Sequence, residues 1–227
     1  MNSKIVLNVL ASVFLSCFNS GCNSNRAESM TRRSLREIAS PTGTGSFSPR
    51  VTSRPDGTVI LSWLEPQGDT AAALRFSVWR NENWSEPITI AAAQPFSRHP
   101  SESPGVITLS DRNLIAYWSQ KPPNEKRTTQ EVDVYFAVST DRGEHWTAPT
   151  LANIAGTGEE SSYPSVAAMD ATHAALIWLD GTNWKKEKRV TLMARVLQSD
   201  GLATAETVIA RTLVPAVPRL WSIRVPA

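Results

Sequence analysis

Apolar residues recur along the chain in short runs that are bounded by polar residues. Three of these runs end in a tryptophan and cover residues 58–63, 114–118 and 174–178. Near-continuous apolar runs of this length are typical of strands that are covered on both faces. After a polar loop, each run is followed by a segment in which apolar and polar residues tend to alternate, at 73–78, 132–138 and 190–196. Alternation of this kind predicts strands that are covered on one face.

The spacing within these segments repeats three times. A Pro-x-Val motif stands fourteen residues before each tryptophan, and an aspartate follows each proline by six or seven residues. A strand, a tight turn and a second strand explain this spacing. The motifs begin at Pro49, Pro104 and Pro164, and the aspartates are Asp56, Asp111 and Asp170.

A fourth, shorter strand is predicted at 87–90 and again at 149–152. Four antiparallel strands in a repeat of roughly 55–60 residues predict a blade of a β-propeller. We therefore expect an all-β fold with three four-stranded antiparallel blades, at about 46–97, 98–158 and 159–210. The alternative for the same pattern is an ordinary sandwich of short strands.

The N-terminal segment has the order of a signal peptide. Lys4 precedes a mostly apolar run at 5–18, which is too short to span a bilayer as a mature helix. Small residues before Cys22 are similar to a lipoprotein cleavage site, so Cys22 is a candidate for lipid attachment, with Cys17 a second candidate. The prediction is export of the chain after a signal peptide at 1–22, to the periplasm, the cell surface or the exterior. Simple cleavage that discards both cysteines is the alternative.

Composition narrows the classes of function. The chain has 227 residues, of which 41% are hydrophobic, and this is enough to build a core. A net charge of +2 gives no electrostatic footprint for nucleic acid. Both cysteines lie within the first 22 residues, and the three histidines have no metal-binding spacing, so no metal or cofactor is expected. Residues 23–45 are predicted to be a polar linker and residues 211–227 an irregular tail.

Residues 139–146 match the pattern Ser-x-Asp-x-Gly-x-x-Trp in full, and this is the Asp box. On this motif the chain resembles the bacterial sialidase family and its BNR-repeat relatives. A short acceptor such as Asp141 bonds nearby amides, Gly143 permits a positive φ, and Trp146 packs against the blade. Ser139, Asp141, Gly143 and Trp146 are therefore predicted to form a structural turn. The first repeat carries a degraded copy from Ser77 to Trp84, and the third keeps only residues 199–201.

The resemblance implies a six-bladed propeller with exo-α-sialidase activity. In that family three arginines bind the substrate carboxylate, a tyrosine assisted by a glutamate is the nucleophile, and an aspartate is the acid/base. Aligned on Pro49, Phe47 stands where the first arginine of the family stands. A phenyl ring cannot replace a bidentate guanidinium, and this argues against sialidase activity in this chain.

Three residues are candidates for a site. Asp69 is the only aspartate in the loop where the family carries its acid/base, and the alternative is a solvated loop carboxylate. Arg98 and Glu160 precede the second and third blades, where loops cluster around the central pocket, and are candidates for substrate binding. For Glu160, with its neighbour Glu159, the alternative is an exposed acidic turn.

Two classes of function follow from these observations. One is a sialidase-like glycoside hydrolase, and the other is a non-catalytic surface propeller that binds glycan or protein. Three blades out of an expected six do not close a propeller, so open edges would permit self-association of two copies. The alternative is a chain that stops, or changes reading frame, at the start of a fourth blade.

Overall fold

The computed structural model describes residues 37–54, 56–99, 101–122, 132–154 and 161–213. The predicted signal peptide with Cys17 and Cys22, most of the linker, Glu160 and the tail beyond residue 213 lie outside these ranges. The chain divides into two units, residues 1–39 and 40–227. Of the first unit only residues 37–39 are described, and they form no helix or strand. All elements below belong to the second unit.

The first sheet is an antiparallel meander in the order β1-β2-β3-β4, and β5 also pairs with β3. The short β4 and the longer β5 share the outer side of β3, because the chain leaves the sheet between them and returns to it. The strands are β1 (Phe47–Ser53), β2 (Val59–Gln67), β3 (Ala71–Arg80), β4 (Asn83–Trp84) and β5 (Ile88–Gln94).

The second and third sheets repeat this arrangement with four strands each. The second comprises β6 (Gly105–Thr108), β7 (Leu114–Gln120), β8 (Asp133–Ser139) and β9 (Thr150–Leu151). The third comprises β10 (Ser161–Ala168), β11 (His173–Asp180), β12 (Arg189–Gln198) and β13 (Thr207–Leu213). A short helix, α1 (Trp184–Glu187), lies between β11 and β12, where the repeat pattern indicates no helix.

The first strands of successive sheets lie next to one another. β1 contacts β6, and β6 contacts β10. The Thr52 hydroxyl of β1 donates to the Val106 carbonyl of β6 at 2.8 Å. Three consecutive antiparallel sheets with adjacent first strands are successive blades of a propeller, and the prediction of a partial β-propeller is confirmed. Within the described ranges, no helix is long and apolar enough to cross a membrane.

The tryptophans of the repeat anchor the core. Trp63, Trp118 and Trp178 are fully buried, and the apolar residues form one cluster between the first two sheets and another between the second and third. The indole N–H of Trp118 donates to the Gln120 side chain at 2.7 Å, and that of Trp63 donates to the Glu65 side chain at 3.3 Å. A polar residue two positions after the tryptophan thus satisfies the buried indole in the first two blades.

The same pair of hydrogen bonds joins each third strand to the segment that follows it. A valine of that strand exchanges bonds with a serine or threonine beyond the next hairpin, at 2.9–3.1 Å. The valine carbonyl accepts from the backbone N–H of the hydroxyl residue, and the valine N–H donates to the hydroxyl oxygen. We call this arrangement the valine clasp. The pairs are Val78 with Ser85, Val138 with Thr147, and Val196 with Thr204.

The valine clasp corrects the predicted alignment of the first repeat with the Asp box. Because Val78 and Val138 occupy equivalent positions, Trp79 takes the place of Ser139, whereas the sequence alignment put Ser77 there. The hairpin of the first blade is consequently two residues shorter than the Asp-box hairpin. The degraded copy is therefore a different turn, in which the rings of Trp79 and Trp84 pack edge to face with centroids 5.1 Å apart.

Candidate functional site

The antiparallel order decides which loops share an end of the sheets. At one end, which we call the upper end, the chain enters each first strand and β2 connects to β3. At the opposite end, the lower end, lie the hairpins that join first to second strands and the connections that follow third strands, including the Asp box. Of the predicted site residues, Asp69 and Arg98 lie at the upper end, and those of the Asp box lie at the lower end.

Two of the predicted site residues meet at the upper end. The Arg98 guanidinium donates through Nη2 to the backbone carbonyl of Asp69 at 3.2 Å. Its carbon lies 5.2 Å from the centroid of the Phe47 ring, within the range of a cation–π contact. Asp69 and Arg98 are exposed, whereas Phe47 is partly buried against the first core cluster. The structure therefore brings Asp69, Arg98 and Phe47 together, while Glu160 lies outside the described residues.

The next residues of the same loop extend this cluster to the third blade. The His99 ring meets the Tyr163 ring edge to face, with centroids 5.8 Å apart. The backbone N–H of Tyr163 donates to Oε1 of Glu102 at 3.4 Å, and the Glu102 N–H donates to the His99 carbonyl at 2.9 Å. Glu102 is buried, with 4% of its surface exposed. Arg98 and His99 thus connect an aromatic residue of the first blade with one of the third.

Glu102 and Tyr163 were not predicted as parts of a shared site, although the repeat holds a signal for the former. Glu102 stands two positions before Pro104, as Phe47 stands two positions before Pro49. Tyr163 lies in a bulge of β10 with φ of 56°, and this conformation is uncommon for a residue with a bulky side chain. The equivalent residue of the first blade, Ser48, has a φ of 52°. The bulge before the proline therefore occurs in the first and third blades.

The Asp-box hairpin is closed by hydrogen bonds between its own residues. The Ser139 hydroxyl donates to Asp141 at 2.7 Å and accepts from the Gly143 N–H at 2.9 Å. Asp141 also accepts the His145 N–H at 3.0 Å, and its other oxygen lies 2.6 Å from Nδ1 of His145. The Trp146 indole donates to the Gly143 carbonyl at 3.0 Å. These bonds hold a compact turn.

The same hairpin is seated on the first blade. The Trp146 ring packs edge to face against Phe76 of β3, with centroids 5.8 Å apart. Gly143 has a φ of 93°, and a Cβ on it would overlap the Phe76 ring. Gly201, in the corresponding hairpin of the third blade, has a φ of 88° and approaches Val138 of the second blade. Each of these hairpins therefore packs on the third strand of the blade before it.

The Asp141 carboxylate makes the hairpin sensitive to acid. The backbone N–H of His145, the Ser139 hydroxyl and the His145 ring hold the pKa of Asp141 well below its usual range. Because the folded-state pKa is depressed, ionised Asp141 stabilises the fold above the ordinary carboxyl pKa of about 4. That contribution is lost as the pH falls through the folded-state pKa.

We therefore expect Asp141→Asn to lower the melting temperature at pH 6, with a difference from the wild type that narrows as the pH falls toward 2. Thermal denaturation followed by circular dichroism at intervals of pH measures this difference. Glu86→Gln is the control, because Glu86 is exposed and its carboxylate makes no hydrogen bond with the described residues. A difference for Asp141→Asn that stays constant with pH would contradict the assignment.

One group of side chains has the composition of a metal site. Ligand atoms of Asp141, Glu144 and His145 lie within 4.8 Å of one another. His145 is 87% exposed, and Asp141 already accepts the hydrogen bonds of the hairpin. The hydrogen bonds of the hairpin explain the positions of Asp141 and His145 without a metal ion. We therefore describe the group as part of the hairpin.

Comparisons with known proteins identify structural similarity and no family. No protein-family model matches the chain, and no curated protein sequence matches it. Among solved structures, the chain is similar to an α-L-arabinanase of Penicillium chrysogenum complexed with arabinobiose, with 15% identity and a TM-score of 0.49 over 69% of this chain and 49% of that one. It is also similar to the α-L-arabinofuranosidase of Fusarium graminearum complexed with arabinobiose, with 16% identity and a TM-score of 0.47 over 67% and 45%.

A third similar structure is a mutant of the NanB sialidase of Streptococcus pneumoniae, with 15% identity and a TM-score of 0.41 over 67% of this chain and 21% of that one. The chain spans about half the length of the first two proteins and about a fifth of the sialidase. At this low identity, the similarities concern the fold alone.

Proposed function

We propose that the upper end binds an acidic carbohydrate of the sialoside type, with Arg98 as the residue that holds the sugar carboxylate. The observation that carries this proposal is the exposed Arg98 guanidinium, which is held by the Asp69 carbonyl on one side and by the Phe47 ring on another. A guanidinium has five N–H donors, and this carbonyl accepts from one of them. No described residue accepts from the remaining donors, which can hold a carboxylate in a bidentate arrangement.

The position of Arg98 bears on the argument against sialoside recognition. Phe47 stands where the resemblance to sialidases implies an arginine, and the Arg98 guanidinium lies over that ring. A cation is therefore present next to the expected position, supplied by the loop that enters the second blade. Stacking on an aromatic ring suits arginine better than lysine, because the guanidinium is planar and weakly hydrated.

Aromatic side chains around Arg98 support a sugar as the ligand. Phe47 and Tyr163 are both partly buried, and residues 98 and 99 lie between them. Ligand sites typically combine apolar and aromatic walls with a few polar groups that fix the orientation. Here the polar groups are the Arg98 guanidinium and the Asp69 backbone carbonyl that it contacts, with the His99 ring next to Tyr163.

Binding of sialyllactose and of lactose, measured by calorimetry, tests the proposal. We expect sialyllactose to bind. Lactose lacks the carboxylate and should bind at least about tenfold more weakly, a difference of about 1.4 kcal/mol. Arg98→Gln should reduce the affinity for sialyllactose to that for lactose, and Arg98→Lys should restore only part of it. Arg189→Gln is the matched control, because it removes an exposed arginine of the third blade. Equal affinity of the Arg98→Gln variant and the wild type would refute the role of Arg98.

Hydrolysis of the bound sialoside is the second candidate function. Asp69 is exposed and contacts Arg98 through its backbone carbonyl, and this proximity supports Asp69 as the candidate acid/base. Release of a fluorogenic aglycone from a sialoside, lost in Asp69→Asn while sialyllactose still binds, would support catalysis. Binding without turnover in the wild type would instead support a non-catalytic carbohydrate-binding propeller.

A further inference from the structure

A cleft lies at the lower end, between the first and second blades. Its volume is about 520 Å³. In the first blade it is bounded by the hairpin between β1 and β2 and by the hairpin that follows β3. In the second blade it is bounded by the hairpin between β6 and β7 and by the Asp-box hairpin. The side chains that matter for its chemistry are those of Arg54, Asp56, Arg80, Trp84, Asp111 and Arg142.

Three arginines of the cleft differ in their partners. Arg80 faces Asp56, with Nη2 3.4 Å from Oδ2. Arg54 is half-buried and donates through Nε to the Thr108 hydroxyl at 3.0 Å. The exposed Arg142 guanidinium has no hydrogen bond or ion pair with any described residue. Arg142 is fixed at its backbone, where its N–H donates to the Arg112 carbonyl at 2.9 Å.

Two buried donors of the cleft lack an acceptor among the described residues. They are Nη2 of Arg54 and Nε1 of Trp84. A buried donor without an acceptor is costly, and native structures leave few of them. Both groups are donors, so the missing counterpart is an acceptor such as an oxygen, and the neighbouring arginines favour one that carries a negative charge.

The carboxylates of the cleft leave a positive balance. Burial lowers the pKa of Arg54. The carboxylates of Asp56 and Asp111 raise this pKa, whereas the charges of Arg80 and Arg142 lower it further. Asp56 is already engaged, because Oδ1 accepts the Thr58 N–H at 2.9 Å and Oδ2 faces Arg80. Three arginines therefore face two carboxylates, Asp56 and Asp111, among the charged residues that line the cleft.

We propose that this cleft binds the oxyanion group of a small ligand, a sulfate or a phosphate, through Arg54, Arg142 and the indole N–H of Trp84. Arginine is suited to such groups because its planar fork of donors matches their oxygens. The site is distinct from the one at the upper end, so each can be tested without the other. The ring of Trp84 in the wall provides an optical probe of occupancy.

The test is calorimetric titration of the full chain with inorganic sulfate, glucose 6-sulfate, inorganic phosphate, glucose 6-phosphate and glucose. We expect the anionic probes to bind and glucose not to bind. Tighter binding of the esterified sugars than of the free ions would assign the oxyanion to an organic ligand, and equal binding would assign it to the free ion. Binding of glucose as tight as that of glucose 6-sulfate, or no binding by any anionic probe, would overturn the proposal.

Charge variants identify the residues. Arg54→Gln and Arg142→Gln should each weaken binding of the anionic probes by about tenfold or more. Asp111→Asn should strengthen it, because it removes the opposing charge. Arg142 is exposed, so its variant is expected to fold even if Arg54→Gln does not, and Arg189→Gln controls for the loss of one positive charge. Unchanged affinity in Arg142→Gln would overturn the assignment.

Discussion

An alanine in place of Gly143 is expected to lower the free energy of unfolding by about 2–5 kcal/mol. Two costs add at this position. The backbone has a φ of 93°, which disfavours any residue with a Cβ, and the new Cβ would overlap the ring of Phe76 in the preceding blade. Phe76 is fully buried, so its ring cannot swing into solvent to make room. Urea denaturation followed by tryptophan fluorescence measures the change.

Two other glycines of the chain separate these costs. Gly57 has a φ of 81° with no heavy atom within 4 Å of an added Cβ, and Gly201 has a φ of 88° with Val138 at 3.8 Å. Gly57→Ala and Gly201→Ala should therefore show the backbone cost alone, about 1–2 kcal/mol. If Gly143→Ala is no more destabilising than these two variants, the contact with Phe76 contributes nothing to the junction of the blades.

Truncation of Trp118 to alanine is expected to lower the free energy of unfolding by about 3–5 kcal/mol. The ring is fully buried and packs against Phe96, at 5.7 Å between centroids, and against Tyr135, at 6.4 Å. Its removal leaves a cavity in the second blade and deprives Gln120 of the indole donor. Denaturation in urea, with secondary structure followed by circular dichroism, measures the loss.

Substitution by phenylalanine separates packing from hydrogen bonding. Trp118→Phe removes the donor to Gln120, which is itself buried, whereas the Trp178 indole has no acceptor among the described residues. Trp118→Phe should therefore be more destabilising than Trp178→Phe by about 1–3 kcal/mol, the cost of an unsatisfied buried polar group. Equal losses would mean that the bond to Gln120 adds nothing beyond packing.

The fold was predictable because its signals are local and repeat. The spacing from Pro49 to Trp63 recurs in the other two units, and each tryptophan found by it is fully buried. Apolar runs marked the second strands, and β7 is buried along its whole length. A pattern that occurs three times with one spacing constrains strand order strongly, because each copy must bury the same positions against its neighbours.

The site was predictable only in part, since its members meet through tertiary contacts. The sequence identified Asp69 and Arg98 as separate candidates, but the bond between them joins residues of different blades. Glu102 and Tyr163 were missed as a pair because the contact depends on a bulge that turns β10 at Tyr163. The degraded Asp box was misaligned because Ser77 and Trp84 have the same spacing as Ser139 and Trp146. The hairpin of the first blade is nevertheless two residues shorter.

The seating of each hairpin on the preceding blade has a consequence for biosynthesis. Phe76 precedes Gly143 in the chain, and Val138 precedes Gly201, so the surface that receives a hairpin leaves the ribosome before the hairpin does. Chains emerge from the ribosome with the N-terminus first. Each new hairpin therefore meets a strand that has already been synthesised. Under a pulling force applied at the C-terminus, the third blade should detach first and leave the second intact.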